Sequence, residues 1–271
     1  MFPLCLSSTP SFLFYLPPQN YFQTRTLTPS PLCCNLPRNQ SLNYTRTLTF
    51  FPIQSISSES SASPPLLVED IIERDWSFLD VDAVNSDDER RRKIHRNILA
   101  AAIREGSRVL VCMGNEWFVD RLVESVPSCE LLLFIHESLF ALAMIKEKYD
   151  NVRCWQGEIT ALPERFSRFD AVFVCYFPGM GVPLDQLLCS VGSRCSPGSR
   201  LLICFDQGRE VIEGSHRQLY PDRLTNELPE KSALEKAAAG HSFQIIEFVD
   251  EPTFYLAVLM FTGSGLSAQQ L

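Results

Sequence analysis

The stretch that decides the fold is Phe243–Phe261, FQIIEFVDEPTFYLAVLMF. Two runs rich in aliphatic and aromatic residues, Phe243–Val249 and Phe254–Phe261, flank the four residues Asp250-Glu251-Pro252-Thr253. Each run predicts a β-strand. A parallel connection needs a dozen or more residues, so four cannot hold one. We therefore expect the last strand to run antiparallel, in a hairpin at the edge of the sheet with Pro252 in the turn.

Upstream of this hairpin, strand-like and helix-like segments alternate. The early strands are continuous apolar runs, as expected when helices cover both faces of a sheet. The alternation predicts an α/β fold with a mostly parallel, doubly wound sheet. The expected strands are Arg108–Cys112, Glu130–Ile135, Asn151–Trp155, Phe169–Cys175 and Ser199–Phe205. The expected helices span 88–104, the surroundings of 118–123, 138–148, 184–191 and 231–239.

The first 58 residues differ in composition from the rest of the chain. They contain no Asp or Glu, only three charged residues (Arg25, Arg38 and Arg46), and many Ser, Thr and Pro. Such a leader is typical of a transit peptide, and its few arginines favour a plastid over a mitochondrion. A disordered tail without a targeting role is the alternative. We predict a leader over 1–60, and a location in the chloroplast stroma of a plant.

The leader also sets the predicted domain boundaries. All 12 glycines of the chain lie at Gly106 or beyond, where the alternating segments begin. The predicted organisation is an N-terminal helical extension with an acidic linker over 61–106, an α/β domain over 107–262 and a flexible tail over 263–271.

Charge and apolar patterning exclude several classes of function. The chain has 24 basic and 32 acidic residues, and without its acid-free leader it is more acidic still. A protein that neutralises phosphates usually carries a basic face, so nucleic acid is not an expected substrate. The longest apolar stretch, Leu131–Ile145, is broken by His136 and Glu137 and is shorter than the ~20 residues of a membrane span. The seven cysteines after the leader show no C-x-x-C spacing, so we expect small buried thiols and no metal site.

Several local motifs share one order and spacing. Together they resemble the class I S-adenosylmethionine (SAM)-dependent methyltransferases over roughly residues 90–262. The resemblance implies a Rossmann-like, seven-stranded sheet with the last strand antiparallel, and SAM as cofactor. The motifs are Gln156-Gly157-Glu158, Ala161-Leu162-Pro163, Arg168–Val172, Cys195–Leu201 and the hairpin Phe243–Phe261.

The glycine-rich cofactor loop of that family falls at Val111–Trp117, where this chain departs from the pattern. Val111 stands at the acid position, Gly114 is the only glycine, and Trp117 stands where the last glycine would be. Close approach of a backbone without glycine is sterically costly. We expect the Trp117 indole to crowd the helix N-terminus that faces the cofactor. The resemblance nevertheless assigns Gly114, Asn115 and Glu116 to cofactor binding.

Acidic residues after the second and third strands are the other cofactor candidates. His136 takes the place of the family's ribose-binding acid, and Glu137 follows it; carboxylate oxygens are good acceptors for two hydroxyls. Alternatively, Glu137 satisfies free amides at a helix start beside Ser138. His136 is either a tuned base or a hydrogen-bonded structural residue. The resemblance implies that Glu158 accepts from the adenine amine, with Gly157, Ile159 and Cys175 beside the cofactor; a surface acid is the alternative for Glu158.

The substrate side is predicted from two loops. Tyr176 and Phe177, after the fourth strand, either shape an apolar substrate site or simply pack the loop. His216 lies in the long stretch between the fifth strand and its helix and is the candidate general base, with a solvated loop histidine as the alternative.

Two functions remain open at this point. One is SAM-dependent methyl transfer to a small molecule in the plastid, driven mainly by positioning. The other is a catalytically inactive methyltransferase-fold scaffold that binds a protein partner. The departures in the cofactor loop favour the scaffold, whereas Glu137 and Glu158 favour the enzyme. A nicotinamide dehydrogenase is disfavoured because the chain lacks G-x-G-x-x-G.

Overall fold

One seven-stranded sheet runs through the part of the chain that the computed structural model describes, residues 73–81 and 85–263. Its strand order is β3-β2-β1-β4-β5-β7-β6. The leader and the residues from 264 onward lie outside the described residues, and so do the predictions made for them. The strands are β1 (Arg108–Cys112), β2 (Leu131–His136), β3 (Val152–Gln156), β4 (Phe169–Val174), β5 (Cys195–Phe205), β6 (Phe243–Glu251) and β7 (Phe254–Phe261).

The C-terminal hairpin has the predicted direction. β7 pairs antiparallel with both β5 and β6, whereas β1, β2, β3, β4 and β5 pair in parallel. β7 is inserted between β5 and β6, so β6 forms the outer edge. β7 is buried along almost its whole length because it pairs on both sides, while β6 pairs on one side only and is largely exposed or half-buried. The expected antiparallel last strand is confirmed.

Helices cover both faces of the sheet. Successive residues of β1 point to opposite faces, so Val109 and Val111 join one hydrophobic core while Leu110 and Cys112 join the other. This two-sided burial explains the continuous apolar strands. The longer helices are α1 (Asp87–Ala100), α2 (Glu116–Ser125), α3 (Leu139–Lys148), α4 (Leu184–Gly192) and α5 (Lys231–Gly240).

Two predicted segments differ in the structure. The first helix was expected over 88–104, but α1 ends at Ala100, because Ala102 has a φ of +51° that an α-helix cannot contain. The fifth strand was expected to begin at Ser199, but β5 begins at Cys195 and contains the Cys195–Leu201 motif, where its pairing with β4 shifts register. Gly198 has a φ of +84°, which glycine adopts at little cost. Within the described residues, no helix combines the length and the apolar character that crossing a membrane requires.

Candidate functional site

The candidate site lies at the carboxyl edge of the sheet, where the loops after β1, β2 and β4 meet. β1 lies between β2 and β4, so the connections leave it in opposite directions, and open α/β sheets bind ligands at such a point. Gly114 and Asn115 follow β1, Glu137 follows β2, and Cys175 and Tyr176 follow β4.

The loop after β1 packs tightly against the sheet. A Cβ on Gly114 would lie 2.9 Å from Val111 Cγ1 and 3.3 Å from Phe134 Cε2, so glycine is required by the packing beneath the loop. Asn115 caps α2 by accepting a hydrogen bond from the backbone N–H of Phe118 at 3.0 Å. The glycine therefore has a structural reason that is independent of any cofactor.

Trp117 does not crowd this edge, and that expectation was wrong. It is the second residue of α2 and lies against α1, with the guanidinium carbons of Arg90 and Arg91 at 5.7 and 5.9 Å from its ring. Glu116, a predicted cofactor residue, directs its carboxylate to Lys148 of α3 at 2.8 Å.

His136 is a buried structural residue, as one of its two interpretations held. It is 2% exposed, and its Nδ1 accepts a hydrogen bond from the backbone N–H of Ser138 at 3.0 Å. Burial lowers the pKa of His136 to about 4, although the nearby Glu73 carboxylate acts to raise it. The imidazole is therefore neutral at pH 7.

Glu137 lies partly buried at the end of β2. Burial raises the pKa of Glu137, Arg74 counteracts this effect, and Glu158 adds to it. The loops after β2 and β3 lie side by side, because Gln156 Nε2 donates to the Glu137 carbonyl at 3.1 Å. Arg74 Nη1 is 3.3 Å from Glu137 Oε2. The amides at the start of α3 are bound by the side chains of Ser138 and Glu73, so the helix-capping alternative for Glu137 is not the arrangement observed.

The candidate cofactor residues after β3 have different environments. Gly157, with a φ of +127°, donates its N–H to the His136 carbonyl at 3.2 Å. Glu158 is exposed and accepts from Thr160 Oγ1 at 3.1 Å, whereas Ile159 is 1% exposed and belongs to the hydrophobic core.

A segment that the motif analysis did not assign to the site lies across this edge. We call Glu73–Asp80 the strap; it contains a 3₁₀ turn at Ser77–Leu79. Its residues Trp76, Phe78 and Leu79 are 6, 9 and 5% exposed. The Trp76 ring lies edge-on to the rings of His136 and Tyr176, with centroid distances of 6.0 and 6.5 Å. The tryptophan that crowds the site is thus Trp76.

The space beneath the strap is small. The cavity lined by Leu79, Asn97, Asn115 and Cys175 has a volume of about 20 Å³, enough for about one water molecule. Small-molecule sites enclose roughly 300–1,000 Å³. Asn97 Oδ1 is buried and has no hydrogen-bond partner among the described residues, so a water molecule would suit this cavity. This cavity is too small to hold SAM.

Tyr176 and His216 come together on the substrate side. The Tyr176 hydroxyl lies 3.0 Å from His216 Nδ1, and the two residues are 1 and 6% exposed. Burial lowers the pKa of His216 and raises that of Tyr176, so both are neutral at pH 7. The solvated-loop interpretation of His216 is wrong, because the stretch after β5 is helical and folds back onto Tyr176. His216 ends the π-helical turn Ile212–His216, a geometry frequent at functional sites.

Cys175 lies beside both the cofactor side and the substrate side of the carboxyl edge. It lines the small cavity, and its backbone N–H donates to the Cys112 carbonyl at 3.0 Å. Burial raises the pKa of the Cys175 thiol well above its ordinary value, so it is a neutral lining group. The structure therefore brings Asn115 and Cys175 to the cavity and places the loops that carry Glu137 and Glu158 side by side, whereas Glu116 and Ile159 are directed elsewhere.

The strand order and the similarity to solved structures identify the fold. A chain in the complex between the Trm112 methyltransferase activator of Haloferax volcanii and a candidate methyltransferase matches with a TM-score of 0.54 and 12% identity, over 65% of this chain and 91% of that one. The order β3-β2-β1-β4-β5-β7-β6 with an antiparallel β7 is the same architecture. This is the class I methyltransferase fold.

Other solved methyltransferases match less well. The magnesium protoporphyrin IX methyltransferase of Synechocystis PCC 6803 with bound SAH matches at a TM-score of 0.49 and 13% identity, over 70% of this chain and 92% of that one. A SAM-dependent methyltransferase of Mesorhizobium loti matches at 0.49 and 14%, over 62% and 97%. No protein-family model and no curated protein sequence matches the chain.

Proposed function

We propose that this chain is a SAM-dependent methyltransferase-like protein that methylates a small molecule. The observation that carries the proposal is the carboxyl edge of the methyltransferase fold, where Glu137 and Glu158 follow the neighbouring parallel strands β2 and β3. Carboxylates are suitable acceptors for ribose hydroxyls and an adenine amine. SAM would supply an activated methyl group. The cavity of about 20 Å³ beneath the strap is too small to hold the cofactor.

The substrate side supports a small, partly apolar substrate. His216 is neutral, and in the tautomer whose Nδ1–H donates to the Tyr176 hydroxyl oxygen its Nε2 can accept a proton from a substrate that reaches this pair. The acidic balance of the chain, with 32 acidic against 24 basic residues, disfavours nucleic acid.

Cofactor binding is tested by the melting temperature of the full chain with S-adenosylhomocysteine (SAH). A ligand that binds only the folded state, at 100 times its dissociation constant, adds about 2.7 kcal/mol. We expect a rise of roughly 5–10 °C for a domain of this size. Glu137→Gln should reduce the rise, because the amide keeps the shape but loses the charge. The control Glu235→Gln changes an exposed helical acid and should leave the rise intact.

The second candidate is a catalytically inactive scaffold, favoured by the strap and by the cavity of about 20 Å³. Such a scaffold would bind a protein partner. The Haloferax volcanii complex contains a methyltransferase activator, and here Leu139, Phe140 and Met144 of α3 expose apolar surface suited to a partner. Absence of any melting shift at millimolar SAH, in the wild type and in strap variants, would favour the scaffold.

We also propose that the protein acts in plastids, on the composition of its first 58 residues. A fluorescent protein fused after residues 1–65 should accumulate in plastids of plant cells. Fluorescence that remains in the cytosol, or that is secreted, would contradict this proposal. A fusion carrying residues 66–130 serves as the control, since it lacks the acid-free leader.

A further inference from the structure

We propose that the strap, Glu73–Asp80, is an intrachain competitor of the cofactor: it closes the site by occupying it, and SAM binds only when the strap leaves. This inference rests on the proposed function, because a competitor requires a site that binds the cofactor. Strap residues bind the polar groups at both ends of the region where the cofactor would lie. They also cover the Tyr176–His216 pair on the substrate side.

The nucleoside end of the edge is held by Arg74. Its guanidinium lies 3.3 Å from Glu137 Oε2, and so occupies the carboxylate that ribose hydroxyls would need. Glu73 accepts the N–H groups of Leu139 and Phe140 at 3.3 and 3.4 Å, which fixes the strap at the start of α3. Arg74 and a ribose would therefore compete for one acceptor.

The opposite end is held at the N-terminus of α2. Asn115 Nδ2 donates to the Leu79 carbonyl at 2.8 Å. A helix N-terminus favours anions, and the ten-residue α2 directs its free amides toward the loop after β1. The Leu79 carbonyl thus occupies the Asn115 amide group beside the start of α2, which the carboxylate of SAM would otherwise use.

Two aromatic side chains fill the space between these ends. A Cβ on Gly179 would lie 2.9 Å from the Trp76 ring, so no gap remains beneath the indole. Phe78 stacks on Tyr220 with a centroid distance of 4.3 Å and lies 4.9 Å from the ring of His216. The strap therefore covers the candidate base as well as the cofactor half.

The contacts of the strap are suited to release. The Arg74–Glu137 pair is partly exposed, at 52 and 25% for the two side chains, and exposed ion pairs contribute little. The Trp76 Nε1–H is buried without an acceptor among the described residues, which penalises the closed state. Burial of Trp76 and Phe78 holds the middle of the strap, while hydrogen bonds from Arg90 to the Leu79 and Asp80 carbonyls hold its end. Truncating Trp76 should therefore favour the open state.

The test measures SAH affinity of the full chain by titration calorimetry. Apparent affinity falls with the fraction of molecules in the open state, so Trp76→Ala should bind SAH at least ~10-fold more tightly than the wild type. Arg74→Gln should bind several-fold more tightly, because the pair with Glu137 is lost. The control Val81→Ala alters an exposed side chain just after the strap and should not change the affinity.

A second measurement leaves the strap intact. The chain has three tryptophans, so Trp117→Phe combined with Trp155→Phe leaves Trp76 as the only one. SAH should move its fluorescence emission to longer wavelengths as the indole enters water. SAH binding without this change, or wild-type affinity equal to that of Trp76→Ala, would contradict the proposal that the strap competes with the cofactor. The proposed function would then still stand. No SAH binding by any variant would overturn both.

Discussion

Arg90→Ala should lower the free energy of unfolding by about 3–5 kcal/mol, the range found when one partner of a buried ion pair is removed. Arg90 is 2% exposed, and its Nε lies 2.7 Å from Asp206 Oδ2. Its two terminal nitrogens donate to the carbonyls of Asp80 and Leu79, each at 2.9 Å. The variant would leave the partly buried Asp206 carboxylate without this cation and two carbonyls without these donors.

Urea denaturation of the wild type and the variant gives this difference. The control is Lys231→Ala, which removes an exposed pair with Glu235 at 3.9 Å and should change stability by less than about 0.5 kcal/mol. A change below about 1 kcal/mol for Arg90→Ala would show that the Arg90 network contributes little net energy. Because Arg90 also holds the end of the strap, this variant tests stability and not cofactor affinity.

Acid should weaken the fold through His136. Its pKa is about 4 in the folded protein and about 6.5 in the unfolded chain. Between these values the unfolded chain binds the extra proton, so the stability is fully present above pH 6.5 and falls as the pH drops toward 4. From pH 7 to pH 5 the contribution of His136 amounts to about 2 kcal/mol, which corresponds to a fall in melting temperature of roughly 4–8 °C.

The matched variant for this prediction is His136→Asn. The asparagine Oδ1 can accept the Ser138 N–H that Nδ1 accepts now, but it cannot take a proton. The fall between pH 7 and pH 5 should therefore shrink by about 2 kcal/mol. His95→Asn changes an exposed histidine and should keep the wild-type fall. His216, whose pKa burial also lowers, should still contribute to the fall that remains. An equal fall in His136→Asn and wild type would contradict the prediction.

The sheet could be predicted because its signals are local. Four residues between Val249 and Phe254 exclude a crossover, and the apolar run of β1 requires cover on both faces. The end of α1 was missed because a positive φ at Ala102 leaves no periodic signal, and alanine is otherwise a helix former.

The site was only partly predictable. His216 was singled out by residue type, but its 3.0 Å contact with Tyr176 depends on helical turns after β5 that the sequence analysis treated as a loop. Trp117 was placed by its position in a motif, whereas its direction depends on how α2 packs against α1. Two buried aromatic residues in an otherwise acidic extension, Trp76 and Phe78, were the one signal that could have indicated the strap.

The sequence by itself determined the strand directions, the position of the edge and the residue types found there. These follow from chain connectivity and from apolar periodicity, which act over a few residues. Only the tertiary structure decided what occupies the edge. Trp76 reaches His136 and Tyr176, and Arg74 reaches Glu137, across long separations in the chain. Such contacts form because the burial of aromatic surface is favourable wherever the fold places two segments side by side. No local sequence pattern encodes which segments become neighbours.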